Sequence, residues 1–286
     1  MSSSNNLASQ GTIKSPVSFK GRGLHTGKRS QMTIHPGDEN SGIVFKRIDK
    51  RGQGTEILAC WKNTKKLPLC TCIASPDNGI HVRTIEHLMA AFYACRIDNA
   101  VVEVHGSELP IMDGSALAFV TEMNKAGVEC QNSLRKIITA TKALEVREDK
   151  KYIKIEPADG LFVDVTISLQ KIGRLNWSGE ITPEIFLEQI SAARTFGRLK
   201  NGLLAQFTRF SKDPICLGAN TSSAVVVVRG DKVLNKGGLR MPDEYVRHRL
   251  LDLVGDLMLS GGHVHGEITA LSPAHRLTHE LLSKIS

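Results

Sequence analysis

The sequence predicts a protein of mixed helices and strands, built from two halves that share one order of elements. The chain has 286 residues, and domains commonly hold about 100–200 residues, so two domains are expected. Alternating apolar and polar residues mark the strands, and apolar residues at helical spacing mark the helices. A helix, a strand and a second helix follow one another in the first half, and the same order returns at the end of the chain.

The first half begins with residues 1 to about 10, which are rich in Ser and Asn and are expected to be frayed. The alternating segments 31–35 and 43–48 are expected to be strands. Thr84 is expected to cap the first clear helix. The apolar residues of that helix recur at helical spacing: Ile85, Leu88, Met89 and Phe92.

A strand over 100–105 and a helix over 115 to about 126 complete the first half. The polar stretch 127–134 then separates helical from strand patterning, so we expect the domain boundary there. This places the first domain at 11–130 and the second at 131–286.

The second half ends with a helix over about 243–259, a strand over 263–270 and a helix after Ser272 and Pro273. Before them, an irregular segment at about 198–235 is rich in Gly, Lys and apolar residues. Long irregular segments inside compact domains are commonly functional, so we interpret this one as an insert.

Composition limits the classes of function. Lys and Arg number 37 against 29 for Asp and Glu, a net charge of +8 that favours anionic partners. The six cysteines show no CxxC spacing and the polar start has no signal-peptide core, so we expect reduced thiols in the cytoplasm. No apolar run approaches the ~18 residues of a membrane span, so any membrane contact is expected to be a transient, peripheral one.

One helix carries a stripe of polar residues that suggests a metal site. His248, Asp252 and Asp256 are spaced by four residues and therefore share one face of the helix near 243–259. The opposite face is apolar and should pack on a core: Val246, Leu250, Val254 and Leu257. Such a stripe is most often a solvated face, so it needs a further partner to indicate a site.

Glu86 and His87, in the first turn of the earlier helix, are the candidate partners. Small residues on the His87 side of that helix would let another element approach closely: Ala90, Ala91 and Ala94. An open zinc site needs three nitrogen or oxygen ligands and a nearby carboxylate base. His87 and Glu86, with the polar stripe, could supply them, although a buried structural histidine is the alternative.

Five strings make the chain similar to a known family. They are GRGLHTGK (21–28), TIEHLMAA (84–91), LPIMDGSA (109–116), ARTFG (193–197) and DEYVRHRLLDLVGD (243–256). The chain resembles the UDP-3-O-acyl-N-acetylglucosamine deacetylase family, zinc amidases of the committed step of lipid A synthesis. The resemblance covers the chain from about Thr12 to its end.

The resemblance implies an α+β fold of two domains with like topology. Each domain is a mostly antiparallel sheet with helices on one face, the helices lie between the two sheets, and each domain carries an insert. The expected partner is a UDP-sugar lipid substrate, whose N-acetyl group is hydrolysed to release acetate. No nucleic-acid partner is expected, and the protein is expected to be a monomer.

The resemblance also assigns roles to residues. By motif match the zinc ligands are His87, His248 and Asp252. Glu86 is the general base, His275 the second acid/base group and Thr195 an oxyanion donor. Independently of the resemblance, we expect Asp256, one turn beyond Asp252, to favour the charged form of His275 through a charge-assisted hydrogen bond. Phe196 would pack on the sugar or acyl region, and Lys151 and Arg249 would bind the diphosphate.

This chain departs from the family pattern near two of these residues. Arg249 stands where the family usually has Lys, and Ser272 where Lys is common. Pro273 and Ala274 precede His275 in place of Ser and Gly. These changes call into question how the backbone positions His275.

Two other readings of the sequence remain. A basic chain of duplicated halves could bind nucleic acid, although it has few aromatic residues for base stacking and no long basic run. A relative with a vestigial metal site is the other reading, although every expected ligand is present.

Overall fold

The computed structural model describes residues 8–52, 55–77, 79–230 and 232–285. Residues 1–7 of the expected frayed start lie outside this range, whereas Ser9 and Gln10 belong to a strand. The strands of the first half are β1 (Ser9–Ile13), β2 (Val17–Arg22), β3 (Arg29–Pro36), β4 (Ile43–Arg47), β5 (Glu56–Leu58), β6 (Cys72–Ala74), β7 (His81–Arg83), β8 (Ala100–His105) and β9 (Val128–Leu134). Its helices are α1 (Glu86–Ala94) and α2 (Leu117–Ala126), with a 3-10 helix at Trp61–Asn63.

The second half continues with strands and helices in mixed order. Its strands are β10 (Ile137–Thr139), β11 (Leu144–Glu148), β12 (Lys151–Glu156), β13 (Leu161–Leu169), β14 (Gly173–Glu180), β15 (Phe196–Arg198), β16 (Val225–Arg229), β17 (Lys232–Val233) and β18 (His263–Leu271). Its helices are α3 (Pro183–Gln189), α4 (Leu199–Ala205), α5 (Glu244–Leu257) and α6 (His275–Ile285), with 3-10 helices at Gln206–Phe210 and Met258–Ser260.

The two large sheets share one topology over five strands, and the second has a sixth strand, β10, parallel to β18. The first has the order β2-β3-β8-β4-β5, and its central β8 is antiparallel to β3 and parallel to β4. The second has the order β11-β12-β18-β13-β14, and its central β18 is likewise antiparallel to β12 and parallel to β13. The expectation of an α+β fold with two like, mostly antiparallel sheets is therefore confirmed.

Helices from the two halves pack against each other between these sheets. Helix α1 is buried along its whole length, as its run of small residues predicts, and it contacts α5. The two helices approach closely at Gly255, where an added Cβ would lie 2.0 Å from the carbonyl oxygen of Glu86. The expected apolar face of α5 is buried, and so is its polar stripe, which excludes a solvated face.

One local prediction was wrong. Thr84 does not cap α1, because the N-cap is Ile85 and the Thr84 hydroxyl donates instead to Glu108 Oε1 at 3.0 Å. Thr84 has a φ of 61°, a left-handed conformation that directs its side chain away from the helix start. Most of the polar stretch 127–134 forms β9, which pairs with β1.

The expected boundary between residues 130 and 131 falls inside β9, and the division into two domains stays a prediction. The insert region forms its own small sheet of β15, β16 and β17 together with α4. Within the part of the chain that the structure describes, every helix is too short or too polar to cross a membrane.

Candidate active site

Three side chains from two helices converge at the contact between the halves. His87 lies on α1, and His248 and Asp252 lie one turn apart on α5. The Asp252 Oδ1 atom is 3.7 Å from His87 Nε2 and 3.4 Å from His248 Nε2. One nitrogen or oxygen atom from each residue lies within 4.8 Å of the others. All three residues are buried.

The two histidines have the protonation state that a metal ligand needs. Burial lowers the pKa of His87 and that of His248 to about 3, so both rings are neutral at neutral pH. The His248 Nδ1 atom lies 3.0 Å from the Ala193 carbonyl, to which it donates, leaving the Nε2 lone pair directed toward Asp252. Two neutral imidazoles and a carboxylate form the donor set of an open zinc site, so these residues fit Zn²⁺.

Glu86 lies beside this cluster and is 3% exposed. Its Oε2 atom accepts a hydrogen bond from the Thr71 amide at 3.0 Å, and its Oε1 atom lies 3.8 Å from His275 Nε2. Burial raises the pKa of Glu86 to about 8, while the nearby charge of His275 opposes this shift. One carboxylate oxygen is therefore held by the backbone, and the other faces the second expected acid/base residue.

His275 is held by Asp256, as the sequence predicts. The His275 Nδ1 atom lies 2.8 Å from Asp256 Oδ2, to which it donates. Burial alone would lower the pKa of His275, but the charge and hydrogen bond of Asp256 outweigh burial and raise it to about 10. Burial would raise the pKa of Asp256, but His275 and His279 hold it well below its usual value.

The unusual residues before His275 do not turn its side chain away. Ser272 has a φ of 48°, and its amide donates to the Thr166 carbonyl at 2.7 Å. After Pro273 and Ala274, His275 is the first residue of α6. The departure from the family pattern therefore leaves the contact between His275 and Asp256 in place.

Sequence reasoning missed two residues of this network. The Thr71 hydroxyl donates to Asp256 Oδ1, and His279 Nε2 lies 3.4 Å from the same oxygen. His279 follows His275 by four residues, so it shares its helix face, a spacing that could have indicated it. Thr71 carries no sequence signal, because it is brought to Asp256 only by the packing of distant segments.

The segment after α3 lies beside His248. The Thr195 amide donates to the Gly114 carbonyl at 2.7 Å, and the Thr195 carbonyl accepts from the Val225 amide at 2.7 Å. These bonds fix the backbone two residues after Ala193, whose carbonyl accepts a hydrogen bond from His248. The Phe196 ring lies 6.2 Å from the His248 ring and 4.9 Å from the Tyr245 ring, centroid to centroid.

The two expected diphosphate-binding residues have different surroundings. The Arg249 Nη1 atom lies 3.0 Å from Asp252 Oδ2, and its guanidinium is 6.0 Å from the Phe196 ring centroid. Lys151 is exposed at the start of β12, opposite Glu148 of β11 in the strand register. Arg249 thus contacts the cluster directly. Lys151 lies on β12, which is next to the edge strand β11 of the second sheet.

Known proteins of similar sequence are deacetylases. A family model described as LpxC, UDP-3-O-acyl N-acetylglycosamine deacetylase, matches residues 10–286. A UDP-3-O-acyl-N-acetylglucosamine deacetylase of Pseudoalteromonas translucida (strain TAC 125) is 37% identical over 292 residues, covering 98% of this chain and 91% of that protein. One from Hamiltonella defensa subsp. Acyrthosiphon pisum (strain 5AT) is 33% identical over 283 residues, covering 98% and 90%.

Proposed function

The chain belongs to the UDP-3-O-acyl N-acetylglycosamine deacetylase family, whose members are hydrolases acting on an amide, and on this basis we propose its reaction. The protein hydrolyses the N-acetyl group of UDP-3-O-acyl-N-acetylglucosamine. The products are acetate and UDP-3-O-acyl-glucosamine, and the step commits the sugar to lipid A synthesis. The observation that carries this proposal is the convergence of His87, His248 and Asp252 beside Glu86 and His275.

His87, His248 and Asp252 would hold the metal ion. When bound, a divalent cation such as Zn²⁺ supplies Lewis-acid activation of water and of the acetyl carbonyl. Two helices hold these ligands in place, because α1 and α5 are in close contact at Gly255. Asp252 is oriented by the Arg249 guanidinium at its second oxygen, which leaves the Oδ1 atom facing both histidines.

Glu86 would act as the general base. Its Oε2 atom is occupied by the Thr71 amide, so the Oε1 atom is the one placed to accept the proton of an attacking water. That oxygen faces His275, and the two residues therefore flank one small volume next to the ligands.

His275 would protonate the leaving glucosamine nitrogen, since an amine anion cannot leave. With Nδ1 bound to Asp256, its Nε2–H points to the Glu86 side of the site. A cationic imidazole held by a buried carboxylate is a suitable proton donor. Thr71 and His279 fix the other oxygen of Asp256, so they are positioning residues for His275.

The remaining groups would bind the substrate and its developing charge. We assign Thr195 as the donor to the oxyanion of the tetrahedral intermediate. Its backbone is fixed by hydrogen bonds, and it lies two residues after Ala193, whose carbonyl accepts from His248. Phe196 would pack on the sugar or acyl chain beside His248. Arg249 and Lys151 would meet the diphosphate, with Arg249 also orienting Asp252.

An acetate-release assay tests this function. Purified protein is given UDP-3-O-acyl-N-acetylglucosamine, and acetate is measured before chelation, after chelation and after the return of Zn²⁺. We expect release that chelation abolishes and Zn²⁺ restores. Metal-loaded protein that releases no acetate, or release that survives complete metal removal, would overturn the proposal.

A further inference from the structure

The insert carries the two most exposed large apolar side chains of the described residues, together with two exposed leucines. Phe210 is 95% exposed and Phe207 83%, and Leu203 and Leu204 are each 63% exposed. All four lie between 203 and 210, on α4 and the 3-10 helix that follows it. We call these four residues the apolar patch. Clustered exposed aromatic and aliphatic side chains mark interaction surfaces, whereas single ones do not.

A basic cleft is lined in part by α4, the helix that carries Leu203 and Leu204 of the apolar patch. It has a volume of about 180 Å³ and is lined by four cationic side chains: Lys171, Arg198, Lys200 and Arg229. None of the described residues that line it is acidic. The Arg198 guanidinium is fixed, because it donates to the Gln170 side-chain oxygen at 2.9 Å and to the Gln170 carbonyl at 2.6 Å.

The apolar patch and the basic cleft meet at α4. Lys200 lines the cleft and lies on this helix, three residues before Leu203, so it is on the same helix face as Leu203 of the patch. Arg209 stands between the two phenylalanines in sequence, and Lys212 follows them. Exposed apolar side chains are therefore bordered by cations on both sides along the chain.

We propose that this surface binds an anionic phospholipid bilayer. Apolar side chains would enter the headgroup region while the basic cleft and its neighbours attract anionic headgroups, the pairing typical of interfacial membrane segments. A second copy of the chain is a poorer occupant, because a symmetric contact would place like charges together. Nucleic acid would match the cations but leave the apolar patch in water.

Docking at this surface would bring the candidate active site close to the bilayer. Strand β15 carries Phe196 at one end, beside His248, and Arg198 at the other, in the basic cleft. These two residues are separated by about 7 Å of extended strand. The proposal stands on the surface alone and does not depend on the proposed reaction.

Vesicle co-sedimentation without any substrate tests this inference. Vesicles of phosphatidylcholine and phosphatidylglycerol in equal parts are compared with vesicles of phosphatidylcholine alone. We expect the wild type to bind the anionic vesicles and to bind the neutral ones much more weakly. The double variants Phe207→Ser/Phe210→Ser and Lys171→Ala/Arg229→Ala should each weaken binding by about tenfold or more.

Matched variants outside the insert control for general loss of apolar surface and charge. Leu134 on β9 is 73% exposed, and Lys46 and Lys125 are exposed lysines of the first half. Leu134→Ser and Lys46→Ala/Lys125→Ala should bind the anionic vesicles like the wild type. Thermal unfolding verifies that every variant is folded. The proposal would be overturned if the wild type did not bind the anionic vesicles, or if the control variants lost binding equally. It would also be overturned if sedimentation velocity showed dimers that disappear when the apolar patch is substituted.

Discussion

Gly255→Ala should damage the candidate site through packing alone. The new Cβ would lie 2.0 Å from the Glu86 carbonyl oxygen, whereas real Cβ atoms keep at least 3.0 Å, so the helices must separate by about 1 Å. Such overpacking costs about 3 kcal/mol, and the better helix propensity of Ala returns about 1 kcal/mol. For a chain of 286 residues, the net loss of about 2 kcal/mol should lower Tm by about 3 °C.

The same displacement should reduce catalysis. Glu86 and His87 move with α1, while Asp252 and Asp256 move with α5, so a shift of about 1 Å between the helices should lower kcat/KM about 100-fold. Gly202→Ala is the matched control for stability, because Gly202 is also helical and has no atom within 4 Å of its added Cβ. Its Tm should stay the same or rise. A Gly255→Ala protein with wild-type Tm and kcat/KM would refute the claim that the close contact between α1 and α5 positions the site residues.

Three further predictions concern charge. Glu86→Gln should keep its metal in elemental analysis but lose several orders of magnitude in kcat, because an amide cannot accept the proton; wild-type kcat would rule out the general base. Asp256→Asn should move the basic limb of the kcat/KM pH profile to lower pH, because Asp256 is what raises the pKa of His275; an unmoved limb would contradict this pairing. Burial would raise the pKa of Glu244, but hydrogen bonds from Arg194 and from nearby amides hold that pKa below its usual value. The ionised Glu244 therefore stabilises the folded protein above about pH 4.5, and this stabilisation is lost as pH falls through the lowered pKa. Glu244→Gln should therefore lower the free energy of unfolding by about 3 kcal/mol at neutral pH in urea titrations, with a smaller difference near pH 3; a difference independent of pH would exclude the charge as its cause.

Local patterns predicted several elements of the fold, including one helix that carries site residues. Strand β8 matches its predicted bounds because its residues alternate regularly, and α5 lies within one or two residues of expectation because its apolar face is periodic. The same period placed His248, Asp252 and Asp256 on one face. The small residues beside His87 indicated Glu86 and His87 as partners of this stripe, and the motif resemblance then assigned their roles, which spacing within one helix could not give.

The missed features depend on long-range packing. Strand β9 has exposed polar residues and, among the described strands, pairs only with β1, so its sequence lacks the apolar alternation of a buried strand. Thr84 is suited to an N-cap by residue type, but its left-handed backbone and bond to Glu108 prevent that role. Thr71 reaches Asp256 across 185 positions of sequence, and no local pattern encodes that contact.

The most direct test of the central claim measures metal content and acetate release on the same samples. Wild type, His87→Ala and His35→Ala are compared, because His35 is a partly exposed histidine on β3 outside the site. The account predicts about one metal ion per chain and full turnover in the wild type and in His35→Ala, with both lost in His87→Ala. A His87→Ala protein that keeps its metal and its turnover would contradict the account.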